Sequence, residues 1–137
     1  MKNIEIAKAY VKDARIILEE AEESFKKQHY HRTVRKCQES VELALKGLLR
    51  LKGIEYPKSH KIGKVLVETL KDDVANDFLQ KAADIADQLS IDREPAFYGS
   101  EDSPAEGLFD REDTEEILEN AGFVINNVVE LLHEGMQ

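Results

Sequence analysis

A line of polar side chains that could bind an anion or a protein partner runs from residue 31 to residue 46. Its members are three or four residues apart, which places them on one face of a helix beside an apolar stripe. The line consists of His31, Arg35, Gln38, Glu42 and Lys46. Glu42 and Lys46 also have the i, i+4 order that stabilises an exposed helix slightly. Two interpretations are open, a binding surface or a solvated flank of the helix.

The stretch KSHK, residues 58 to 61, is the second candidate site. A short helix is predicted to begin here, and the free backbone N–H groups at a helix N-terminus attract anions. The connection from the preceding helix is short, so Lys46 should lie near this entrance. His60 is therefore predicted either to bind a ligand or to serve the fold through a hydrogen bond to a backbone carbonyl or to Glu42.

The stretch REPAFYG, residues 93 to 99, is the third candidate, in a loop predicted over residues 91 to 110. Arg93 can make a bidentate contact with phosphate or carboxylate, while Phe97 and Tyr98 can stack on a base or on a partner. A loop of this length is more than a compact domain needs for a connection. In the alternative interpretation Arg93 pairs with a neighbouring acid and Phe97 packs into the end of the fold.

Other chemistry has little support in the sequence. Glu130 and His133 have the Glu-x-x-His spacing of dinuclear metal bundles, but those proteins need a second such motif and the chain has none. The single Cys37 can form neither an intrachain disulfide nor a thiolate cluster, and we expect it to be buried. No glycine-rich phosphate loop or nucleophile elbow is present. We therefore expect no metal site, no cofactor and no nucleophilic catalytic residue.

Charge is strongly segregated along the 137 residues, whose net charge is −9. Residues 26–64 contain 11 Lys or Arg against 3 Glu, whereas residues 65–137 contain 4 basic and 19 acidic residues. Such a chain suits an anionic ligand at one surface and a basic partner at another, or simply has two solvated faces. The absence of an apolar run of about 18 residues and of a signal peptide predicts a cytoplasmic protein without a membrane partner.

Hydrophobic periodicity predicts an all-α protein. Apolar residues recur at spacings of three and four, and no segment alternates with period two. The predicted helices cover residues 3–27, 30–52, 60–71, 73–90 and 111–134, with Ser59, Asp72 or Asp73, and Asp110 as N-caps. Four long amphipathic helices bury their stripes most simply as an antiparallel up-and-down four-helix bundle with an extra short helix. We expect one domain over residues 1–137.

The residues of helix 2 and the following turn resemble a known family. In order, they are Gln38, Glu42, Leu45, Lys46, Leu48, Leu49, Gly53, Pro57, Ser59 and His60. Their types and spacing are similar to the core of the HEPN domain (higher eukaryotes and prokaryotes nucleotide-binding). REPAFYG and the last amphipathic helix resemble the later part of prokaryotic members, so the resemblance covers nearly the whole chain.

The resemblance implies a helical bundle that is usually dimeric. Many family members work beside a minimal nucleotidyltransferase, and others are metal-independent ribonucleases in which an arginine is followed four to six residues later by histidine. Arg93 matches that arginine, but the histidine positions hold Tyr98, Gly99 and Ser100. Without an imidazole there, no side chain titrates near neutral pH for acid–base work.

The chain is therefore interpreted as a non-catalytic module that binds a nucleotide or a partner. We expect it to work with a nucleotidyltransferase in a toxin–antitoxin-like pair, and the alternative is a divergent ribonuclease. RNA is the less expected ligand because the predicted loop around Arg93 is acidic. We expect a homodimer, since Phe97, Tyr98, Leu108 and Phe109 place more apolar surface in that loop than a connector needs.

Overall fold

The computed structural model describes residues 2–56 and 61–135, which form five α-helices and no strand. The helices are α1 (Asn3–Lys26), α2 (Tyr30–Leu51), α3 (Ile62–Leu70), α4 (Asn76–Tyr98) and α5 (Arg111–Gly135). The predicted all-α bundle with a short extra helix is confirmed. The bounds predicted for α1, α2 and α5 agree with the structure to within one residue.

Helix α2 is the centre of the bundle and packs against every other helix. Its buried face carries a continuous apolar stripe that includes Val34, Val41, Leu45, Leu48 and Leu49, each almost fully removed from solvent. Helices α1 and α4 do not touch each other, so they flank α2 from different sides, and α5 packs against α1 and α2. Helix α5 has few contacts with α4.

Contacts between helix ends establish the up-and-down topology. Arg35, near the start of α2, lies against Phe97 at the end of α4, so these two helices are antiparallel. Arg111, at the start of α5, lies against Phe25 at the end of α1, so this pair is antiparallel as well. Within the described residues, no helix combines the length and the apolar character needed to cross a membrane.

Buried hydroxyl groups join α1 to α2 next to their tight connection. The Ser24 and Thr33 hydroxyl oxygens are 2.8 Å apart in a hydrogen bond across the two helices, and Ser40 Oγ donates to the Ala14 carbonyl at 2.6 Å. Gln28, in the connection, has φ +64°, the left-handed conformation that reverses the chain. The hairpin therefore buries its polar groups with partners, as buried groups must.

Glycines set the end of α2 and the packing of α3. Gly53 has φ +76°, and the next N–H, of Ile54, donates to the Leu49 carbonyl, which satisfies a free carbonyl of the last turn as predicted for a left-handed cap. Helix α3 begins at Ile62, not at residue 60, and the predicted Ser59 cap lies outside the described residues. Gly63 allows α3 to approach the backbone of α4 at Ala83.

Helix α4 differs from the prediction at both ends. It begins at Asn76 after an Ala75 cap, so neither Asp72 nor Asp73 caps it, and it continues to Tyr98. Pro95 stands in its last turn, where a missing N–H and a steric clash usually end a helix. Burial of Ala96 and the contact of Phe97 with α2 are tertiary interactions that favour the extra turns.

The predicted 20-residue loop is consequently a 12-residue connection, residues 99–110. It starts at Gly99, whose φ of +74° ends α4, and contains a 3₁₀ turn at Ala105–Gly107. Asp110 then caps α5 as predicted: its Oδ1 accepts from the Asp113 N–H at 2.8 Å. The shorter connection means that the REPAFYG residues are positioned by a helix rather than by a loop.

Candidate functional site

Two arginines from different helices meet at one aromatic ring. The Arg35 guanidinium carbon lies 4.5 Å from the centroid of the Phe97 ring, and the Arg93 guanidinium carbon lies 5.3 Å from it. Arg93 and Phe97 are one turn apart on α4, so the helical conformation of this stretch brings them to the same face. Neither arginine forms an ion pair with another described residue. Both guanidinium groups therefore keep N–H donors for an external anion.

The arginines line a cleft of about 360 Å³ between α2 and α4. The lining side chains are Arg32, Arg35, Lys36, Gln38, Glu39, Glu42, Arg93 and Phe97. Four of these carry positive charge and two carry negative charge. The expectation that Arg93 has acidic surroundings is therefore wrong. It was based on the neighbours of Arg93 in sequence, whereas α2 adds three positively charged side chains to the cleft.

A second cavity of about 360 Å³ adjoins the first. It is lined by Ser90, Arg93, Glu94, Phe97 and Tyr98. Since Arg93 and Phe97 line both cavities, they form a shared wall between a cationic side and an aromatic side. The Tyr98 side chain is 82% exposed, and its ring centroid lies 5.9 Å from that of Phe97. Such exposed rings can stack on a planar group.

Side-chain interactions join the second half of the predicted polar line of α2, from Gln38 to Lys46. Gln38 Nε2 donates to Glu42 Oε2 at 2.8 Å, and Lys46 Nζ lies 3.6 Å from Glu42 Oε1. Lys46 Nζ also lies 5.3 Å from the Tyr56 ring centroid. Burial, followed by the charges of Glu42 and Asp87, raises the pKa of Tyr56. Glu42 is thus held by two partners on its own helix and fixes the Gln38 amide at the edge of the cleft.

His31 lies one turn before Arg35, beside the cleft but not in its lining. Partial burial, followed by the positive charges of Arg35 and Arg32, lowers the pKa of His31, and Glu106 of the 3₁₀ turn opposes this shift. The lowered pKa favours the neutral form of the imidazole. Partial burial and the nearby Arg32 also lower the pKa of Arg35, as expected where cations are gathered without enough acids.

The structure thus brings together four predicted site residues: Arg35, Gln38, Glu42 and Arg93 line one cleft. Tyr98 lines the adjoining cavity, whereas Lys46 lies further along α2, toward Tyr56. His60 lies outside the described residues. The clip interpretation, in which Arg93 pairs with a local acid and Phe97 is buried, is wrong, because Phe97 is 41% exposed and Arg93 stacks on it.

Three residues of the cleft were missed in the sequence, namely Arg32, Lys36 and Glu39. They repeat at spacings of four and three, one position after each of His31, Arg35 and Gln38. A helical projection therefore contained the signal, as a second polar line next to the first. This second polar line did not indicate a site, because nothing in the sequence showed that α4 would cover this side of α2.

The single cysteine, Cys37, does not line the cleft. Cys37 is buried, and burial, followed by the charge of Glu22, raises the pKa of its thiol to about 12. No group of three metal-ligating side chains occurs within residues 2–56 and 61–135. The cleft contains the guanidinium groups of Arg35 and Arg93, the Gln38 amide and the Phe97 ring, which are groups that can bind an anion and stack on a planar group.

The fold is an all-α bundle with an arginine–aromatic cleft between α2 and α4. The family model of the HEPN domain matches residues 7–132, and the chain belongs to the HEPN family. It is similar to TT1696 from Thermus thermophilus, with a TM-score of 0.72 and 28% identity over 90% of this chain and 96% of that chain. It is also similar to ST0689, an archaeal HEPN homologue, with a TM-score of 0.69 and 30% identity over 96% of this chain and 99% of that chain. Comparison with curated proteins gave no match.

Proposed function

We propose that this HEPN protein is a non-catalytic nucleotide-binding module whose ligand occupies the cleft between α2 and α4. The observation that carries the proposal is the convergence of Arg35 and Arg93 on the Phe97 ring. Two guanidinium groups that meet at one ring from separate, packed helices can make bidentate contacts to phosphate oxygens. The neighbouring Tyr98 ring gives a base a surface to stack on.

Titration calorimetry with ATP, AMP and inorganic phosphate tests the site. We expect Arg35→Gln and Arg93→Gln each to weaken nucleotide binding by at least about tenfold, since a hydrogen bond to a charged group contributes about 1.5–3 kcal/mol. Arg111→Gln is the matched control, because Arg111 also stacks on a phenylalanine, at 5.2 Å from Phe25, but does not line the cleft. Equal affinities for all three variants and the native chain would contradict the proposal.

The biological setting that we propose is a pair with a minimal nucleotidyltransferase, as in a toxin–antitoxin system. The support is the family membership together with the segregation of charge, which gives α2 a basic surface and the C-terminal half an acidic one. Co-expression with a minimal nucleotidyltransferase, followed by purification on a tag carried by one chain, tests this part. Complete separation of the two chains at physiological ionic strength would count against it.

The second candidate, a divergent ribonuclease, is separated from the first by an RNA-cleavage assay. The observation that favours this candidate is the cationic lining of the cleft, which could contact RNA phosphates. Cleavage by the native chain that is lost in both Arg93→Ala and His31→Gln would replace the binding module by an enzyme that draws its imidazole from α2. With Tyr98 at the position of the family's histidine, we expect no cleavage above that of the Arg93→Ala control.

A further inference from the structure

An apolar groove lies between α1 and α5, and it shares no lining residue with the cleft. Its volume is about 480 Å³. The floor consists of aliphatic side chains from both helices, namely Val11, Ile16, Val129 and Leu132. Among the described residues, Ile16 is one of four large apolar side chains that remain exposed, at 46%. An apolar groove with a polar rim is typical of an interaction surface.

One long edge of the groove is a row of cations on α1. Lys8, Lys12 and Arg15 line it at spacings of four and three residues, so these side chains lie above one another on one face of the helix. From residue 8 to residue 15 the row covers about 10 Å of helix. All three side chains are exposed, and none has an ion-pair partner among the described residues. Glu19 continues the row one turn further on with the opposite charge.

The arrangement of these groups defines the shape and charge of an occupant. The apolar floor and the cationic edge run side by side, because Val11 and Ile16 lie at the same heights along α1 as the cations. An occupant must therefore be apolar along one side and anionic along the adjacent side. A fatty acid has a single anionic group at one end and matches only one of the three cations. An amphipathic helix has an apolar stripe beside residues that recur every three or four positions, which is the repeat of the row on α1.

We propose that the groove between α1 and α5 binds an acidic amphipathic helix of a partner protein. Such a helix, lying along the groove, places its apolar stripe on the floor and the acidic side chains of successive turns opposite the three cations. Burial of the apolar stripe supplies most of the affinity, because exposed ion pairs contribute little. The charges select an acidic helix and repel a basic one. Glu19 attracts a basic residue at one end of the bound helix and so favours one direction.

Occupation of the groove does not depend on the proposed function, and either can fail without the other. Helix α1 has no contact with α4, so an occupied groove leaves the cleft open to its ligand. The pair with a nucleotidyltransferase is supported by the basic surface of α2, whereas no residue of α2 lines the groove. Substitutions at Arg32 and at Lys12 therefore test the two basic surfaces separately.

Fluorescence anisotropy with two labelled peptides tests the groove. The acidic peptide is an amphipathic helix of about 18 residues, or about 27 Å, with leucine along one face and glutamate beside it, and the basic peptide has lysine in place of each glutamate. We expect the native chain to bind the acidic peptide at least about tenfold more tightly than the basic one. Lys12→Glu and Arg15→Glu should each weaken binding of the acidic peptide by at least about threefold, since each replaces an attraction by a repulsion. The double variant should prefer the basic peptide.

Matched controls separate the groove from other basic surfaces and from effects on folding. Lys64→Glu on α3 and Arg32→Glu at the cleft make the same charge change at exposed positions outside the groove. Both should leave the affinity for the acidic peptide within about twofold, because charges more than about 8 Å apart are screened at physiological ionic strength. Ile16→Asp should abolish binding and keep native helical circular dichroism, since this side chain is already exposed.

Equal affinity for the two peptides, or binding of the acidic peptide that persists in both Lys12→Glu and Arg15→Glu, would overturn the inference. Loss of binding in Arg32→Glu alone would do the same, because the peptide would then lie on α2. Binding of dodecanoate but not of the acidic peptide, lost in Ile16→Asp, would assign the groove to a small amphiphile instead. Self-association of the native chain that is lost in Ile16→Asp, without any binding of the peptide, would assign it to a second copy.

Discussion

At the scale of single residues, the site depends on a contact that the sequence could not reveal. The types of Arg35, Arg93 and Phe97 indicated their chemistry, and the periodicity of helix 2 placed Arg35 correctly. These three side chains come into contact because α4 covers one particular side of α2. Hydrophobic periodicity does not determine which helix packs beside a polar face. Candidate groups were therefore predictable, whereas their assembly into one cleft required the packed structure.

Cys37 illustrates a residue whose role follows from burial alone. Its side chain is inaccessible to solvent in the core face of α2. Burial, and then the charge of Glu22, raises the pKa of the thiol to about 12, compared with about 8.5 for an unperturbed cysteine. The folded state therefore retains a proton that the unfolded chain loses first as the pH rises. The contribution of this thiol to stability is complete below about pH 8.5 and decreases toward pH 12.

We predict that the native chain loses stability relative to Cys37→Ala as the pH rises from 8 to 10. The difference between the two chains should fall by up to about 1.4 kcal/mol per pH unit above the pKa of the unfolded thiol. Urea unfolding at pH 8, 9 and 10 measures this difference, and any cavity left by the alanine adds only an offset that does not depend on pH. If the difference in stability between the two chains did not change with pH, the pKa of the thiol would not be raised in the folded state.

At the scale of secondary-structure elements, prediction succeeded where periodicity was unbroken and failed at Pro95. Helices α1, α2 and α5 have long apolar stripes, and Asp110 and Gly53 have the residue types that caps require. Helix α4 continues two turns further than predicted because Ala96 is buried and Phe97 contacts α2. Local propensity argued for a loop, and tertiary packing outweighed it.

Close packing of helix α3 on α4 is the element-scale feature that a substitution can test. A Cβ atom added at Gly63 would lie 3.0 Å from the Ala83 carbonyl oxygen and 2.9 Å from Asp87 Oδ1. The first of these is a backbone atom, so the two helices would have to separate. At Gly122, inside α5, an added Cβ atom meets nothing within 4 Å.

We predict that Gly63→Ala and Gly122→Ala change stability in opposite directions. Gly63→Ala should destabilise the fold by about 1–3 kcal/mol, the range for overpacking. Gly122→Ala should stabilise it by up to about 1 kcal/mol, because alanine loses less backbone entropy in a helix than glycine does. Chemical denaturation of both variants measures the pair. Stabilisation by Gly63→Ala of the same size would mean that α3 does not pack closely against α4.

At the scale of the whole molecule, the charges that are segregated along the sequence lie on different faces around the central helix α2. Five of the 11 basic residues of segment 26–64 lie in α2, and one flank of this helix lines the cleft with Arg32, Arg35 and Lys36. Helix α1 lies on another side of α2 and carries its own ordered pattern of charge. The sequence showed the segregation, but only the arrangement of helices shows that α1 lies away from the cleft.

We therefore predict that a change of charge on α1 leaves nucleotide binding unchanged. Lys12→Glu places this change on α1, and α1 has no contact with α4. At physiological ionic strength the screening length is about 8 Å, so the change in charge on α1 should have little effect at the cleft. Calorimetric titration of the native chain and the variant with AMP should give dissociation constants that agree within about twofold and one ligand per chain in both. A loss of binding in Lys12→Glu but not in Lys64→Glu would contradict this prediction, because it would show that α1 influences the cleft.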